Sequence, residues 1–387
     1  GSGCSKPLAG DVRGGVLLAL LAEHRLERIV QHADRIVYVP GQARPIEVGT
    51  PAEVLRTAPV APPVVELGRL VGWDPLPLTI REARRHAPAL RDRLAAATEH
   101  EPSDVALPSP GDVLARTHRL TVRFGGVTAL HEVDLELRQS EIVALMGRNG
   151  SGKSTLLRAL TGLVAPTNGK VDVLGDDPRS LRALVRKVGL VPQRPADLLY
   201  AETVAAECAA ADADVDAPPG TCQLLVEQLL PDINPTTHPR DLSEGQRLGL
   251  VLAIVLTGEP PIVLLDEPTR GLDYAAKRRL VTILRQLATA GHGIVLATHD
   301  VELAATASTR TMMLADGEVV VDGPTDQVVV GSPAFAPQVA KVLAPDPWLT
   351  VEQVAATVGR SPGAVKALQR RALAALRRRL EHEGVTL

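Results

Sequence analysis

Aromatic side chains are scarce in this chain of 387 residues, where two Phe, three Tyr and two Trp make up 2%. The core must therefore be packed by aliphatic residues, chiefly Leu and Val. Cysteine is almost as rare. Cys4, Cys208 and Cys222 are far apart and show no CxxC or Cys/His spacing, which excludes a disulfide scaffold and a structural zinc site. They read as isolated reduced thiols. No apolar run reaches the ~18–20 residues that a membrane-spanning helix needs. The longest, Leu248 to Leu256, fits a buried helix. The first residues lack the basic-then-apolar plan of a secretion signal, so the expectation is a cytosolic chain. A net charge of −3 gives no global attraction to nucleic acid or anionic lipid.

Against these absences, 45% hydrophobic and 22% charged residues suit a soluble fold of two ordinary domains, or one large domain with appendages. Residues 61–114 are rich in Pro, Ala and Arg around a helical stretch at Ile80–Ala97 and read as an extension and linker. Residues 115–345 alternate strands and helices, the pattern of an α/β domain. Residues 346–387 form a helical, Arg-rich tail. The first 60 residues echo a later stretch. Leu21-Ala22-Glu23-His24, Arg35-Ile36-Val37 and Val48-Gly49-Thr50-Pro51 match Ala297-Thr298-His299, Arg310-Thr311-Met312 and Asp322-Gly323-Pro324 in register. They read as the end of a second copy of the central domain, with no phosphate loop of its own.

The apolar run Glu141 to Met146 leads into Gly147-Arg148-Asn149-Gly150-Ser151-Gly152-Lys153-Ser154-Thr155, which matches GxxxxGK[ST]. Leu156, Leu157, Leu160 and Leu163 continue at helical spacing. Glycines let backbone N–H groups curl around phosphate oxygens, and the helix N-terminus favours negative charge. Lys153 is placed to reach the β- and γ-phosphates, and the Ser154 hydroxyl to ligate Mg²⁺. A second apolar run, Ile262 to Leu265, ends in Asp266-Glu267. There the first carboxylate suits Mg²⁺ and the second suits the attacking water.

Around these lie Leu242-Ser243-Glu244-Gly245-Gln246-Arg247, Pro268 to Asp273, Ile294 to Thr298 followed by His299-Asp300, and Val188 to Val191 followed by Pro192-Gln193. In this order the motifs resemble the ABC ATPase family across residues 115–345. The resemblance implies an ABC-type P-loop fold with an antiparallel β subdomain and a helical subdomain. It also implies a cassette that binds Mg·ATP and hydrolyses it on dimerisation. By the same resemblance Ser243, Gly245 and Gln246 belong to the LSGGQ element that caps the γ-phosphate in the opposite domain. Gln193 is the Q-loop residue that senses Mg²⁺, His299 the switch histidine, and Asp273 part of the D-loop. Phe124 takes the place of the ring that stacks on adenine. Glu267 is the general base, while Ser154, Gln193 and Asp266 serve the metal. Glu244 departs from the family's glycine and adds negative charge near the γ-phosphate.

The tandem trace, the stretch Glu23 to Glu27, and Gln193 leading to Thr203-Val204 and Glu207 resemble energy-coupling-factor uptake ATPases of the cobalt and vitamin type. That likeness implies a transmembrane scaffold subunit, a substrate-binding subunit, a second cassette (identical or not) and a place on the inner face of the cell membrane. The tail resembles the helix-turn-helix of sigma-factor region 4. Thr350 to Gln353 opens one helix, and Ser361-Pro362 opens a second with Val365, Leu368, Ala372 and Leu376 on one face. The competing class is therefore a non-transport ABC ATPase or a DNA-binding regulator. One such module on an acidic chain should hold DNA weakly at physiological salt.

Overall fold

The computed structural model describes residues 21, 26–39, 45–97, 108–180, 186–231, 233–331 and 335–358. His24 and the second helix expected of the tail lie outside them. The chain opens with α1 (Leu26–Ile29), the strand pair β1 (Ile36–Tyr38) and β2 (Glu47–Gly49), then α2 (Pro51–Thr57), α3 (Pro63–Val71) and α4 (Ile80–Ala97). Thr50 caps α2 in a reciprocal box with Glu53, and prolines stand at the first turns of α2 and α3, where a missing N–H costs nothing.

The central part carries β3 (Val113–Phe124), β4 (Val127–Arg138), β5 (Ile142–Met146), α5 (Lys153–Leu160), β6 (Asn168–Val173) and β7 (Val188–Val191). Next come α6 (Val204–Asp214), α7 (Thr221–Leu229), α8 (Glu244–Leu256), β8 (Ile262–Asp266), α9 (Tyr274–Thr289), β9 (Gly293–Thr298) and α10 (Val301–Ala307). It closes with β10 (Arg310–Ala315), β11 (Glu318–Pro324), α11 (Thr325–Val330), α12 (Gln338–Leu343) and α13 (Val351–Thr357).

Strands β10-β5-β9-β8-β7 form a parallel sheet edged by antiparallel β11, and β4-β3-β6 form a separate antiparallel sheet. The central strands β5, β8 and β9 are buried throughout, as continuous apolar runs require when both faces are covered. Alternate residues divide between two cores. Val143, Leu145, Leu264, Val295 and Ala297 pack with the antiparallel sheet and with Leu156, Leu157 and Leu160 of α5. Ile142, Val263, Leu265, Ile294 and Leu296 pack on the other side with α8, α9 and α10. Helices α6 and α7 meet α8 in a third core, and here Cys208 and Cys222 come together. Their separation in sequence gave no sign of this, because it follows from α6 and α7 packing side by side.

A fourth core joins α2, α3 and α4 to α12 and α13. Val354 is fully buried in it and Val358 packs against it, as the expected face of that first tail helix requires. Arg84 Nε donates to Lys341 O at 2.8 Å and Arg91 Nε to Asp346 Oδ2 at 2.8 Å across the same junction.

Candidate functional site

The parallel order places the ends of β5, β8 and β9 side by side, and the phosphate loop, Asp266-Glu267 and His299 follow those ends. Ligand groups gather at the carboxyl edge of such a sheet because consecutive loops all leave it there. Gly147 is dictated by close approach. A Cβ at this position would lie 2.4 Å from Leu314 O and 2.4 Å from Ser151 Oγ. Gly152, at φ +102°, has Ala129 O at 2.6 Å from the same imagined atom, so β4 presses on the start of α5. The loop is thereby held open as a cradle before a helix whose first N–H groups lack intrahelical acceptors.

Lys153 is buried at the loop. Its Nζ donates to Gly147 O at 2.8 Å and Arg148 O at 3.2 Å, and stands 3.6 Å from Glu267 Oε1. Glu267 occupies a left-handed conformation, φ +51°, which costs a non-glycine residue roughly 1–3 kcal/mol and persists only where its surroundings enforce it. Two contacts enforce it: its N–H donates to Ala297 O at 2.8 Å, and His299 Nδ1 lies 2.6 Å from its Oε2. Glu267 thus bridges the phosphate-loop lysine and the histidine.

Four buried oxygens here have no hydrogen-bond partner: Ser151 Oγ, Asp266 Oδ1, Glu267 Oε1 and Thr269 Oγ1. Buried polar groups are normally paired, so such a cluster marks a place for a polar ligand. Burial raises the Asp266 carboxyl above the usual carboxylate range, opposed by a hydrogen bond from Ser154. A hydroxyl and a carboxylate with one free oxygen make a hard-oxygen donor set of the kind Mg²⁺ takes, and Ser154 and Asp266 are the residues that would hold it. Bound there, Mg²⁺ would neutralise charge on the phosphate oxygens. A carboxylate at Glu267, next in the chain, would have the chemistry to orient or deprotonate a water.

The remaining expected residues are carried by other elements. Phe124 is half exposed at the β3–β4 hairpin, and Gln193 is exposed beyond β7. Ser243 caps α8 in a box with Gln246: Ser243 Oγ accepts from Gln246 N, and Gln246 Oε1 accepts from Ser243 N at 2.9 Å. Gly245 faces α9, where a Cβ would stand 3.2 Å from Ala276 Cβ. The charge of Glu244 is taken up by Arg247, at 2.7 Å one helical turn on, so the departure from glycine brings its own counter-ion. Sequence reading gave no role to Thr269, Arg247, or Lys277, whose Nζ meets Asp300 Oδ2 at 2.6 Å. The spacing of Glu244 and Arg247 on one helix was a usable signal. The other contacts join distant segments and had none.

A sequence profile described as ABC transporter matches residues 130–270. The cobalt import ATP-binding protein CbiO of Rhodobacter capsulatus is 36% identical over 220 residues, 54% of this chain and 78% of that protein. The chain belongs to the ABC transporter ATP-binding proteins. A protein of Streptomyces avermitilis described as an ABC transporter ATP-binding protein is 59% identical over 361 residues, 87% of this chain. A Streptomyces coelicolor relative is 57% identical over 363 residues. The chain spans 64% of the length of each of these two relatives. Among solved structures, cbiO1 of Clostridium perfringens, part of the complex cbiONQ, superposes with a TM-score of 0.51 at 25% identity, over 56% of this chain and 90% of that one. An ATP-binding cassette solved as a post-hydrolysis dimer with ADP and phosphate gives 0.50 at 26% identity, over 55% of this chain and 99% of its own. As an ABC cassette the central part is thus an ATPase fold. No helix among the described residues is long and apolar enough to cross a membrane.

Proposed function

We propose that the chain is a Mg·ATP-binding and hydrolysing subunit that powers solute uptake through an ABC transporter of the energy-coupling-factor type. The observation that carries the reading is the convergence of Lys153 with the unpartnered oxygens of Ser151, Asp266 and Glu267 on a glycine-walled loop. Gly147, Asn149, Gly150, Ser151, Gly152, Lys153 and Thr155 hold the phosphates, Phe124 the base, and Ser154, Asp266 and Gln193 the metal. Glu267 acts on the water, with His299 beside it at the γ-phosphate. Ser243, Gly245 and Gln246 serve a nucleotide held by a partner cassette. Positioning and electrostatics supply most of the rate gain in such a site. The uptake type rests on the likeness to the CbiO proteins, and it brings a transmembrane scaffold, a substrate-binding subunit and a place on the cytoplasmic face of the membrane. The test is titration calorimetry of ATP with and without Mg²⁺. Metal-dependent binding that is lost in Lys153→Ala is expected, and its absence in the parent chain overturns the reading.

A further inference from the structure

His299 stands beside Glu267 with little packing of its own. Its side chain is 46% exposed, so the ring is not held by a surrounding core. Its position must come from Glu267 and from the chain on either side. Thr298, the residue before it, is fully buried at the end of β9 and pairs with Met146 of β5. Asp300, the residue after it, is itself tied down. Its N–H donates to Thr298 Oγ1 at 3.0 Å, and its Oδ1 accepts from Leu303 N at 3.2 Å as the cap of α10. Its Oδ2 accepts from Lys277 Nζ at 2.6 Å. A residue between two fixed neighbours has few torsions left to move, because each residue carries only two soft backbone dihedrals.

The first two of these bonds are local to residues 298–303. The third is charged and reaches across from α9, a helix well placed to serve as a fixed point. Lys277 lies one turn into α9, where its N–H donates to Asp273 O at 3.0 Å. Further along, Leu280, Leu284 and Ala288 of α9 are buried in one core with Ile294 and Leu296 of β9. The helix that carries the ammonium is thus fastened to the strand that carries His299. The Tyr274 ring adds a second constraint, with the Lys277 ammonium 5.7 Å from its centroid, within cation–π range.

The pair is also well shielded. The side chains of Lys277 and Asp300 are 19% and 9% exposed, so water and salt screen their attraction far less than at a surface. The next residue, Arg278, turns away to Glu66 Oε1 at 3.2 Å. Around Tyr274 stand three carboxyls, Glu27, Glu302 and Asp300, which together with burial push its hydroxyl up. Lys277 is the cation set among them.

We infer that Lys277 is a positioning residue for the reaction: through Asp300 it fixes the backbone of His299, and with it the direction in which Glu267 presents its carboxylate. Breaking the pair should then separate binding from turnover. The phosphate loop is built from β5 and α5 and keeps its hold on ATP, whereas the paired His299 and Glu267 lose their alignment. The inference rests on the reading of the site as an ATP site, but one arm of its test does not.

In the first arm, the full chain with ¹⁵N-labelled histidine is followed by NMR without nucleotide, and the His299 ring signal is assigned by its loss in His299→Asn. Asp300→Asn strands no buried acid, and its amide oxygen can still cap α10. It should shift the His299 signal, and adding Lys277→Met to it should shift the signal no further, because the lysine acts through Asp300. An unmoved signal in Asp300→Asn, or a further shift in the double variant, overturns the inference. In the second arm, ATP turnover is measured in the assembled transporter. Lys277→Met and Asp300→Asn should each lower kcat by about 10- to 100-fold, the scale of a slight misplacement of reacting groups, with KM for ATP unchanged. Lys277→Arg, which keeps the charge, should recover most of the rate. A lower melting temperature with parental kcat would make the pair a tie between α9 and α10 alone and overturns the inference. Failure of the parent chain to bind ATP would instead defeat the reading of the site and leave the NMR result standing.

Discussion

His299 Nδ1 and Glu267 Oε2 are 2.6 Å apart, so the histidine at the end of β9 and the carboxylate at the end of β8 act as one unit. The pair joins a half-exposed ring to a buried acid whose other oxygen points toward Lys153. A ring held in this way fixes the direction of the carboxylate as much as the carboxylate fixes the ring.

Glu267→Gln should keep ATP affinity within about threefold while lowering turnover, in the assembled transporter, by about 100-fold or more, the range for loss of a general base. His299→Ala should lower it too, and the double variant should lose far less than the product of the two effects. Steady-state rates on the three variants decide this, and fully multiplicative losses would mean independent residues.

Lys153→Ala removes the only cation within salt-bridge distance of Glu267 Oε1 among the described residues and leaves that acid buried. Breaking a buried pair from one side costs about 3–5 kcal/mol, so a lower melting temperature should accompany the loss of ATP binding. Lys153→Ala combined with Glu267→Gln should recover most of the stability and none of the binding, as read by thermal melts and calorimetry.

Gly147→Ala should fail for a steric reason. The added methyl would fall 2.4 Å from a backbone carbonyl, an atom that cannot swing aside. A destabilisation of about 1–3 kcal/mol and at least a tenfold loss of ATP affinity are expected. Gly150→Ala, where a Cβ meets nothing within 4 Å, should disturb packing far less, although its φ of +85° still disfavours a side chain.

Glu302 gives the junction of α10 with α12 a pH dependence. Its carboxyl is raised from 4.5 to about 7 chiefly by burial, so the folded state binds the proton more tightly than the unfolded chain. The resulting stabilisation is complete below pH 4.5 and is lost as pH rises through about 7. Melting temperatures of the parent minus those of Glu302→Gln should therefore fall between these two values. A flat difference would mean that folding leaves the Glu302 carboxyl unshifted.

Much of the site was legible because its chemistry lies in contiguous runs. Gly147 to Thr155 carry their own turn, cradle and helix start, and Asp266-Glu267 terminates a strand whose burial its composition dictates. What composition cannot carry is the pairing of segments far apart in the chain. The helix at Val351–Thr357 read as the opening of a terminal module, and its start at Thr350 is where the capping pattern put it. Its partner, α3, could not be read, since nothing local to either helix specifies the other. Glu244 lies on the other side of that limit. Its charge is answered by Arg247 three residues on in the same helix, a spacing that the sequence already carries.

Gly245 sets the first turn of α8 directly against α9, since a single methyl there would already crowd Ala276. Gly271 tightens the same seam, where a methyl would meet Glu244 Cγ at 3.0 Å. Beyond that contact the helices part, and Leu248 and Leu252 of α8 with Leu280 and Ile283 of α9 line a cavity between them. The two helices are therefore pinned at one end only, and a displacement of the first turn of α8 would reach α9 there. Because α9 begins at Tyr274, whose hydroxyl donates to Glu27, α1 stands next in that chain of contacts.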